Sequence, residues 1–429
     1  MRVLIANYRY FVSGGPERYM FNVTDALAGQ GHTVIPFSIR YTRNQPTPYA
    51  HYFVEPLGSR NEVTFREQRL DPRALWRTLV RLVYAPEVER AVTRIVADTQ
   101  PQVAYVLHYL RKLSPSLLVG LKKAGLPIVV RLSDYAMLCP QAHCLRDESP
   151  CTLCVSGNLW PSVRYRCVQD SLAASALNAL ATWYHRLRHY FDLIDVLVTT
   201  NQFMYRMMVS AGFPEHRLQC IPTFVDGETF RPSPDFAKDD YIAYTGRLEV
   251  VKGVHILVDA LTLLRRRRPD LDLRVKVAGL DSPGSGDGYG ALLRRRVQDM
   301  DLQDVVEFVG GLKATEISGL LSKAQLSVVP SLWYENLPNA ILESYACGTP
   351  VLASELGSLV ECVRDGETGY LFRVGDASGL AERLEFCLDH PQQMAHMAKK
   401  ARQMAEGMYS PQRHVSILEG LLSRLAWGS

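Results

Sequence analysis

The chain has 429 residues, of which 47% are hydrophobic and 21% charged, so its composition is that of a folded protein and not of a disordered one. This length accommodates two domains of ordinary size, each with its own core. Lys and Arg number 48 against 44 Asp and Glu, and the resulting net charge of +4 does not indicate nucleic-acid binding. We therefore expect no nucleic-acid partner.

Two further features of the sequence indicate where in the cell the protein is located. No apolar stretch approaches the ~20 residues that a membrane-spanning helix needs, and the apolar run at residues 3–6 is too short for the core of a signal peptide. These features predict a cytoplasmic protein. In that compartment, the nine cysteines are expected to be thiols or metal ligands rather than disulfides.

Short apolar runs alternate with helical segments along both halves of the chain, which is typical of doubly wound parallel sheets. Several runs are apolar at every position, as in strands covered by helices on both faces. The pattern predicts an α/β protein with two Rossmann-like domains facing each other across a cleft, joined by a proline-containing linker at 220–234. The predicted strands are 3–6, 33–37, 103–107, 128–132 and 196–199 in the first half, and 241–245, 273–278, 305–309, 326–329 and 351–353 in the second.

Ligands of such folds bind beyond the carboxyl ends of the strands, so residues that follow strands are the site candidates. After the first strand, Gly14 and Gly15 precede Glu17 and a predicted helix. Two glycines let the backbone approach a ligand closely, and a helix N-terminus favours anions. The alternative is a merely tight connection between strand and helix.

A second loop follows the first strand of the second half. In Gly-Arg-Leu-Glu-Val-Val-Lys-Gly (246–253), Arg247 and Lys252 provide two cations, which suit the charges of a diphosphate. An ordinary solvated loop is the alternative for an isolated Arg and Lys pair. The next motif favours the functional interpretation.

The segment 331–350 carries the strongest signal. Glu335 lies on the loop after a predicted strand, and Glu343 lies about one turn into the helix that follows. The two carboxylates can accept hydrogen bonds from sugar hydroxyls, while backbone N–H groups at the helix N-terminus can hold phosphate. The residues between the strand and the helix are Asn336, Leu337, Pro338 and Asn339.

Glu335 and Glu343, preceded by the Gly-Arg…Lys-Gly loop, resemble the donor site of the family-4 retaining glycosyltransferases (glycosyl transferases group 1), which have the GT-B fold. The resemblance extends over nearly the whole chain, from the Gly-Gly-x-Glu turn to Asp-Gly-Glu-Thr-Gly-Tyr-Leu-Phe at 365–372. It implies an acceptor-side domain at 1–205, a nucleotide-sugar donor domain at 206–405, and a C-terminal helix at 406–429 that packs back toward the first domain.

The resemblance also implies residue roles. Arg247 and Lys252 would bind the donor diphosphate and stabilise the leaving group. Glu335 would contact the transferred sugar, and Glu343 the ribose. The segment 336–339 would support sugar and phosphate through its backbone amides, and the Gly14–Gly15 loop would close over the diphosphate.

The implied reaction moves a sugar, with retention, from a UDP- or GDP-linked donor to a glycan or lipid-linked acceptor. No cofactor or divalent metal would be required for catalysis, because protein cations stabilise the leaving group. The implied role is bacterial surface polysaccharide biosynthesis. We expect a hexosyltransferase.

One departure from the family affects the acceptor side. Many relatives carry a His after the fourth strand, where this chain has Ser133, which cannot act as a comparable base or cation. Asp134 or His108 is the candidate to cover that function, with Glu17 as a third acceptor-side residue. A nucleotide-sugar-binding scaffold or sensor without turnover is therefore the alternative function.

Five of the nine cysteines fall in a loop-like insertion at 139–167. Cys144, Cys151, Cys154 and Cys167 include a Cys-x2-Cys pair, a spacing that suits tetrahedral zinc. The pattern predicts a structural zinc that shapes the acceptor side and takes no part in catalysis. Free buried cysteines are the alternative.

Arg73, Arg77 and Arg81 recur every four residues beside apolar positions. The pattern predicts an amphipathic helix whose basic face suits an anionic membrane surface, and thus a peripheral location at the inner face of the plasma membrane. An ordinary domain helix with a solvated basic face is the alternative.

Overall fold

The computed structural model describes residues 1–57, 80–281 and 288–428. The chain forms two compact units. Unit 1 comprises Met1–Cys144, Thr152–Ile221 and Val415–Ser429, and unit 2 comprises Leu145–Cys151 and Pro222–His414. No helix in the described ranges has both the length and the apolar composition needed to cross a bilayer.

Unit 1 contains a six-stranded parallel sheet whose strand order is β2-β1-β3-β4-β7-β8. The strand β1 lies inside the sheet, and Val3, Leu4, Ile5 and Ala6 are all buried, which explains its unbroken apolar sequence. The strands are β1 (Arg2–Ala6), β2 (Thr33–Phe37), β3 (Val103–Val106), β4 (Ile128–Arg131), β7 (Val196–Thr199) and β8 (Leu218–Cys220). A short antiparallel hairpin, β5 (Leu145–Arg146) and β6 (Ser149–Pro150), belongs to unit 2.

The helices of unit 1 connect these parallel strands. The helices Pro86–Thr99 and Ser116–Lys123 pack tightly against each other, since a Cβ on Gly120 would stand 2.4 Å from Val92 Cγ1. The helices are α1 (Gly15–Gly29), α2 (Pro86–Thr99), α3 (Ser116–Lys123), α4 (Trp160–Arg164), α5 (Leu172–Leu187) and α6 (Gln202–Ser210), and α14 (Pro411–Trp427) follows unit 2. Within unit 1, α14 contacts the N-terminal segment, because His32 Nε2 lies 2.9 Å from Glu419 Oε1.

Unit 2 contains the second six-stranded parallel sheet, in the order β11-β10-β9-β12-β13-β14. Ile242 and Tyr244 of β9 belong to one apolar cluster and Tyr241 and Ala243 to another, so the sheet is covered on both faces. The strands are β9 (Ile242–Thr245), β10 (Val275–Ala278), β11 (Val306–Gly310), β12 (Leu326–Val329), β13 (Val351–Ser354) and β14 (Gly369–Phe372). The helices are α7 (Val254–Arg267), α8 (Tyr289–Asp299), α9 (Ala314–Lys323), α10 (Asn339–Ala346), α11 (Leu359–Cys362), α12 (Ala377–Asp389) and α13 (Pro391–Gly407).

Each predicted strand overlaps an observed one, and three of them, β2, β7 and β12, have the predicted bounds. Sequence analysis missed β8 and β14, which are short edge strands. The predicted domain boundary at 205/206 needs correction. It falls inside α6, and β8 pairs with β7 of the first sheet, so unit 1 continues to Ile221.

The predicted basic face needs correction at one of its three positions. The Arg81 side chain is only 3% exposed, and its Nε donates to Glu87 Oε1 at 3.2 Å. A second donor of Arg81 reaches the Glu55 carbonyl oxygen. Arg81 therefore cannot belong to a membrane-facing surface, whereas Arg73 and Arg77 lie outside the described residues.

Gly253 determines how the loop after β9 meets the end of β12. Its φ is +72°, and a Cβ there would stand 1.8 Å from the Pro330 carbonyl oxygen. Only glycine permits both the left-handed backbone and this approach. The loop that carries Lys252 is consequently held against the loop that carries Glu335.

We predict that Gly253→Ala lowers the free energy of unfolding by about 3 kcal/mol, because it adds a backbone clash to left-handed strain. Gly366→Ala is the matched control: its φ is +75°, but a Cβ there would meet no described atom within 4 Å. The control should cost about 1 kcal/mol. Denaturant unfolding measures both, and equal losses would contradict the close-approach argument.

Candidate functional site

The centre of the site in unit 2 is a buried ion pair between two loops that follow neighbouring strands. Lys252 Nζ lies 2.6 Å from Glu335 Oε1, and the side chains are 17% and 7% exposed. Lys252 comes from the loop between β9 and α7, and Glu335 from the loop between β12 and α10. Because β9 and β12 are adjacent, the ends of both strands place these side chains together.

Neighbouring groups fix both partners. The Leu332 N–H donates to the Val251 carbonyl at 2.8 Å, which ties the two loops together. Lys252 Nζ also stands 5.0 Å from the centre of the Trp333 ring, where the electron-rich face attracts a cation. The ammonium position is thus set by a carboxylate, an aromatic ring and the backbone.

Hydrogen bonds stabilise the Glu335 carboxylate. Burial alone would raise its pKa, but the nearby Lys252 charge and hydrogen bonds from Lys252 and Ser331 outweigh burial and lower that pKa. Ser331 Oγ donates to Oε1 at 2.7 Å, and Ser358 Oγ donates to the Glu335 backbone carbonyl at 2.7 Å. The carboxylate is therefore charged at neutral pH and held in one position.

Arg247, the other predicted cation, has a different environment. Its side chain is 57% exposed, and its Nη1 donates to Glu249 Oε1 at 2.7 Å. Its carbonyl accepts a hydrogen bond from the buried Tyr244 hydroxyl at 2.9 Å, so the backbone is anchored while the guanidinium extends toward solvent. The structure thus shows one fixed cation and one exposed cation on the same loop.

The helix α10 begins at Asn339, with Pro338 at the N-cap position. Proline has neither a backbone N–H nor a polar side chain, so Pro338 cannot cap the first-turn amides of this helix. Glu343 is only 6% exposed on α10. Asn336 and Leu337 lie in the loop between Glu335 and the helix, as predicted.

In unit 1, the Gly14–Gly15 turn leads into α1 as predicted. Gly14 has φ −173°, an extended conformation open to any residue, and a Cβ there would make only ordinary contacts, the nearest with Glu17 Oε2 at 3.7 Å. Glu17 is 1% exposed, and its Oε2 accepts from Ser13 Oγ at 2.9 Å, while Arg9 Nη1 lies 3.5 Å from Oε1. The Glu17 carboxylate is therefore held by neighbours within its own loop.

His108 and Asp134 form a pair beyond the ends of β3 and β4. Nε2 of His108 lies 2.7 Å from Asp134 Oδ2, and the side chains are 26% and 24% exposed. Burial of Asp134 alone would raise its pKa, but His108, the Ala136 N–H and Arg111 together lower that pKa to about 2. Ser133 accepts a hydrogen bond from Arg131 at 3.2 Å and is not part of the pair.

The cysteine-rich insertion shows no assembled metal site. All of Cys144, Cys151, Cys154 and Cys167 are described, and none forms a disulfide. Across the described ranges, no three His, Cys, Asp or Glu side chains are grouped so that they could hold a metal ion. The four cysteines as placed here do not fit tetrahedral zinc.

Sequence analysis did not identify three groups that complete the ion-pair site, namely Ser331, Trp333 and Ser358. Ser331 and Trp333 lie within the motif that contains Glu335, so proximity in sequence could have suggested them. Ser358 lies after β13 and reaches the Glu335 carbonyl only through the tertiary fold. No pattern in the sequence indicates that contact.

Both the sequence and the fold of this chain match those of known proteins. Residues 226–404 match the family described as Glycosyl transferases group 1. The glycogen synthase of Mycobacterium tuberculosis is 36% identical over 411 residues, which cover 94% of this chain and 90% of that protein. The chain belongs to this glycosyltransferase family.

A second group of relatives matches over a shorter stretch. The D-inositol 3-phosphate glycosyltransferase of Pseudarthrobacter chlorophenolicus is 31% identical over 215 residues, or 48% of this chain and 50% of that protein. The chain therefore aligns with about half the length of this relative.

Solved structures show the same fold. The sucrose-phosphate synthase (tll1590) from Thermosynechococcus elongatus has a TM-score of 0.75 at 20% identity, with all of both chains covered. Anabaena Alr3699/HepE in complex with UDP and glucose has a TM-score of 0.67 at 19% identity, with 99% of each chain covered. The glycosyltransferase thus has the GT-B fold, with two Rossmann-like domains.

We predict that Lys252→Ala lowers the free energy of unfolding by about 3 kcal/mol at pH 7, because it leaves the Glu335 carboxylate buried without its cation. Without Lys252, burial raises the Glu335 pKa in the folded state above its unfolded value. The loss should therefore shrink as the pH falls through about 4, because below the unfolded pKa the carboxyl of the variant is protonated in both states.

Denaturant unfolding between pH 4 and pH 7 measures this effect, and the double variant K252A/E335Q should recover part of the stability. Lys323→Ala is the control, because Lys323 and Asp239 form an exposed pair 3.8 Å apart. The control should change stability by less than about 1 kcal/mol. A loss in K252A that is independent of pH would contradict the electrostatic explanation.

The lowered pKa of Asp134 predicts how the stability of the fold changes in acid. A carboxyl whose folded pKa lies below its unfolded value of 3.8 stabilises the fold above that value, and this contribution is lost as the pH falls through about 2. Asp134→Asn should therefore remove about 2 kcal/mol of stability at neutral pH and flatten the dependence between pH 4 and pH 2.

Acid unfolding monitored by circular dichroism measures the Asp134 effect. Asp147→Asn is the matched control, because that carboxyl is 87% exposed, and it should retain the acid dependence of the unaltered chain. An unchanged acid profile in D134N would show that the pair with His108 contributes nothing to stability.

Proposed function

We propose that the protein transfers a sugar, with retention of anomeric configuration, from a nucleotide diphosphate sugar to a glycan or lipid-linked acceptor. The observation that carries this proposal is the buried Lys252–Glu335 pair beside the uncapped N-terminus of α10. It places a cation, a carboxylate and helix amides at the carboxyl end of one sheet, where ligands of such sheets bind.

The leaving diphosphate requires positive charge. Lys252 uses one N–H for Glu335, which leaves its other ammonium protons for phosphate oxygens. Arg247 is exposed on the same loop, so its guanidinium can turn from Glu249 to the diphosphate. These cations stabilise the charge that develops on the leaving group, which is why we infer that catalysis requires no divalent metal.

The carboxylates suit the sugar parts of the donor. Glu335 is charged and fixed, and carboxylate oxygens accept hydrogen bonds, which suits the hydroxyls of the transferred sugar. Glu343 is the candidate for the ribose, and the segment 336–339 for backbone contacts to sugar and phosphate. The UDP and glucose complex of the similar Anabaena protein supports a UDP-linked donor.

We assign acceptor recognition to unit 1, where His108 and Asp134 are each about one-quarter exposed and can hydrogen-bond to an acceptor hydroxyl. His108 Nδ1 is buried and has no partner in the described part of the chain. The exposed edge of the pair, and not Nδ1, is therefore the surface that meets substrate. Gly14 and Gly15 remain our candidates for contact with the donor diphosphate, and Glu17 for the acceptor side.

A bacterial surface polysaccharide, or its lipid-linked precursor, is the proposed product. A cytoplasmic enzyme that docks on the inner face of the plasma membrane would reach such an acceptor.

The first experiment measures thermal stability with UDP, GDP, ADP, dTDP and CMP in turn, without added metal. A ligand at about 100 times its Kd adds about 2.7 kcal/mol, so one diphosphate should stand out. Lys252→Arg keeps the charge and Lys323→Ala is the exposed control, and both should keep a stabilising response.

Transfer and slow donor hydrolysis are then assayed with the matching nucleotide sugar. Glu335→Gln should lower turnover about 100-fold or more if Glu335 orients the transferred sugar. Normal turnover in that variant would overturn the site assignment. Donor binding without transfer or hydrolysis across a broad acceptor panel would favour a binding scaffold instead.

A further inference from the structure

The helix α5 exposes a continuous stripe of apolar side chains. Leu172, Leu180, Trp183 and Leu187 are 55%, 59%, 53% and 55% exposed, and the exposed Ala176 completes the stripe. These five residues, which we call the α5 face, recur at intervals of three or four, so they lie on one side of the helix. The stripe extends over the whole length of α5.

The buried side of the same helix is unusually polar. Ser175, Ala179, Ala181, Thr182 and His185 are the buried residues of α5, and three of these five carry polar groups. Burial lowers the pKa of His185 to about 4, and its Nε2 contacts the Val83 carbonyl at 3.2 Å. Four of the five leucine and tryptophan side chains of α5 are exposed, which is the reverse of an ordinary surface helix.

The preceding helix extends this surface. Leu159, Val163 and Ala179 form a small cluster that packs α4 against α5. On α4, Trp160 is 65% exposed. Two exposed tryptophans therefore belong to one pair of packed helices.

Arginines outnumber acidic residues along α4, α5 and the segment between them. Between residues 152 and 189 there are four arginines and one acidic residue, Asp170. Arg164, Arg166 and Arg188 are exposed. The fourth, Arg186, donates to the Gly157 and Met137 carbonyls at 3.1 Å and anchors the helix to its own unit.

We propose that the α5 face binds the surface of an anionic lipid bilayer. Apolar side chains on one side of a helix enter the boundary between headgroups and acyl chains, and tryptophan prefers that boundary. The flanking arginines match the negative headgroups, and their charge complementarity favours a bilayer over a second copy of this chain, which would bring like charges together. This surface differs from the predicted Arg73, Arg77 and Arg81 helix, and its argument does not depend on the proposed reaction.

The test is co-sedimentation of the full chain with vesicles of phosphatidylcholine alone and of phosphatidylcholine with 30–40% phosphatidylglycerol, compositions chosen at about the anionic content that attracts basic surfaces. We expect binding to the anionic vesicles that weakens as salt rises from about 0.05 to 0.5 M. The double variant L180Q/W183Q should bind them at least about tenfold more weakly, because it removes two inserting side chains.

The matched controls are Leu292→Gln on α8 and Trp427→Gln at the end of α14, because these side chains are 60% and 65% exposed outside the α5 face. Both should bind vesicles like the unaltered chain, and all variants should keep its melting temperature. UDP-induced stabilisation should also persist in L180Q/W183Q, which separates this proposal from that of the donor site.

Failure of the unaltered chain to bind anionic vesicles at low salt would overturn the proposal. Equal loss in L292Q or W427Q would do the same, because binding would then not depend on the α5 face. A dimer in solution that dissociates in L180Q/W183Q would identify a second copy as the occupant and would also overturn it.

Discussion

The candidate donor site depends on a charge that is buried and compensated. Removing a carboxylate and an ammonium from water is costly, and that cost is offset only where geometry is fixed and the remaining polar atoms are hydrogen-bonded. Lys252 and Glu335 meet this condition through Ser331, Trp333 and the close packing of Gly253 against Pro330. The two loops beyond β9 and β12 are consequently held together by the protein's own contacts. Such preorganisation is what electrostatic stabilisation of a leaving group requires.

The two cations on the loop after β9 differ in a way that suits their proposed tasks. Lys252 is fixed by its partners, whereas Arg247 extends from an anchored backbone and pairs with Glu249. A fixed charge contributes without reorganisation when the phosphate arrives, and an exposed guanidinium can follow the phosphate. In unit 1, His108 and Asp134 form a second hydrogen-bonded pair, and Ser133 bonds to Arg131 instead. Unit 1 therefore offers the imidazole of His108, which follows β3 and is paired with a carboxylate that follows β4.

The exposed apolar side chains of the α5 face have a different physical explanation. Its leucines and tryptophan are exposed at a cost in water, while smaller and more polar residues fill the contact with unit 1. Selection for stability alone would reverse this arrangement. A bilayer surface accounts for both the apolar stripe and the neighbouring arginines, and it would bring the protein to the lipid-linked acceptors that we propose.

Most strands could be predicted from the sequence alone, because residues buried on both faces of a parallel sheet must be apolar at every position. The motif residues of the candidate donor site could also be predicted, since a short loop holds Glu335 close to α10. The strands β8, of three residues with a glutamine in the middle, and β14, which begins with a glycine, became apparent only in the fold, as did the extension of unit 1 to Ile221. Only the tertiary structure showed that Ser358 supports Glu335 and that Arg81 is buried against Glu87, because these contacts join residues whose proximity in space follows from packing. The helical period of α5 was visible in the sequence, but which side of that helix faces water depends on what packs against it.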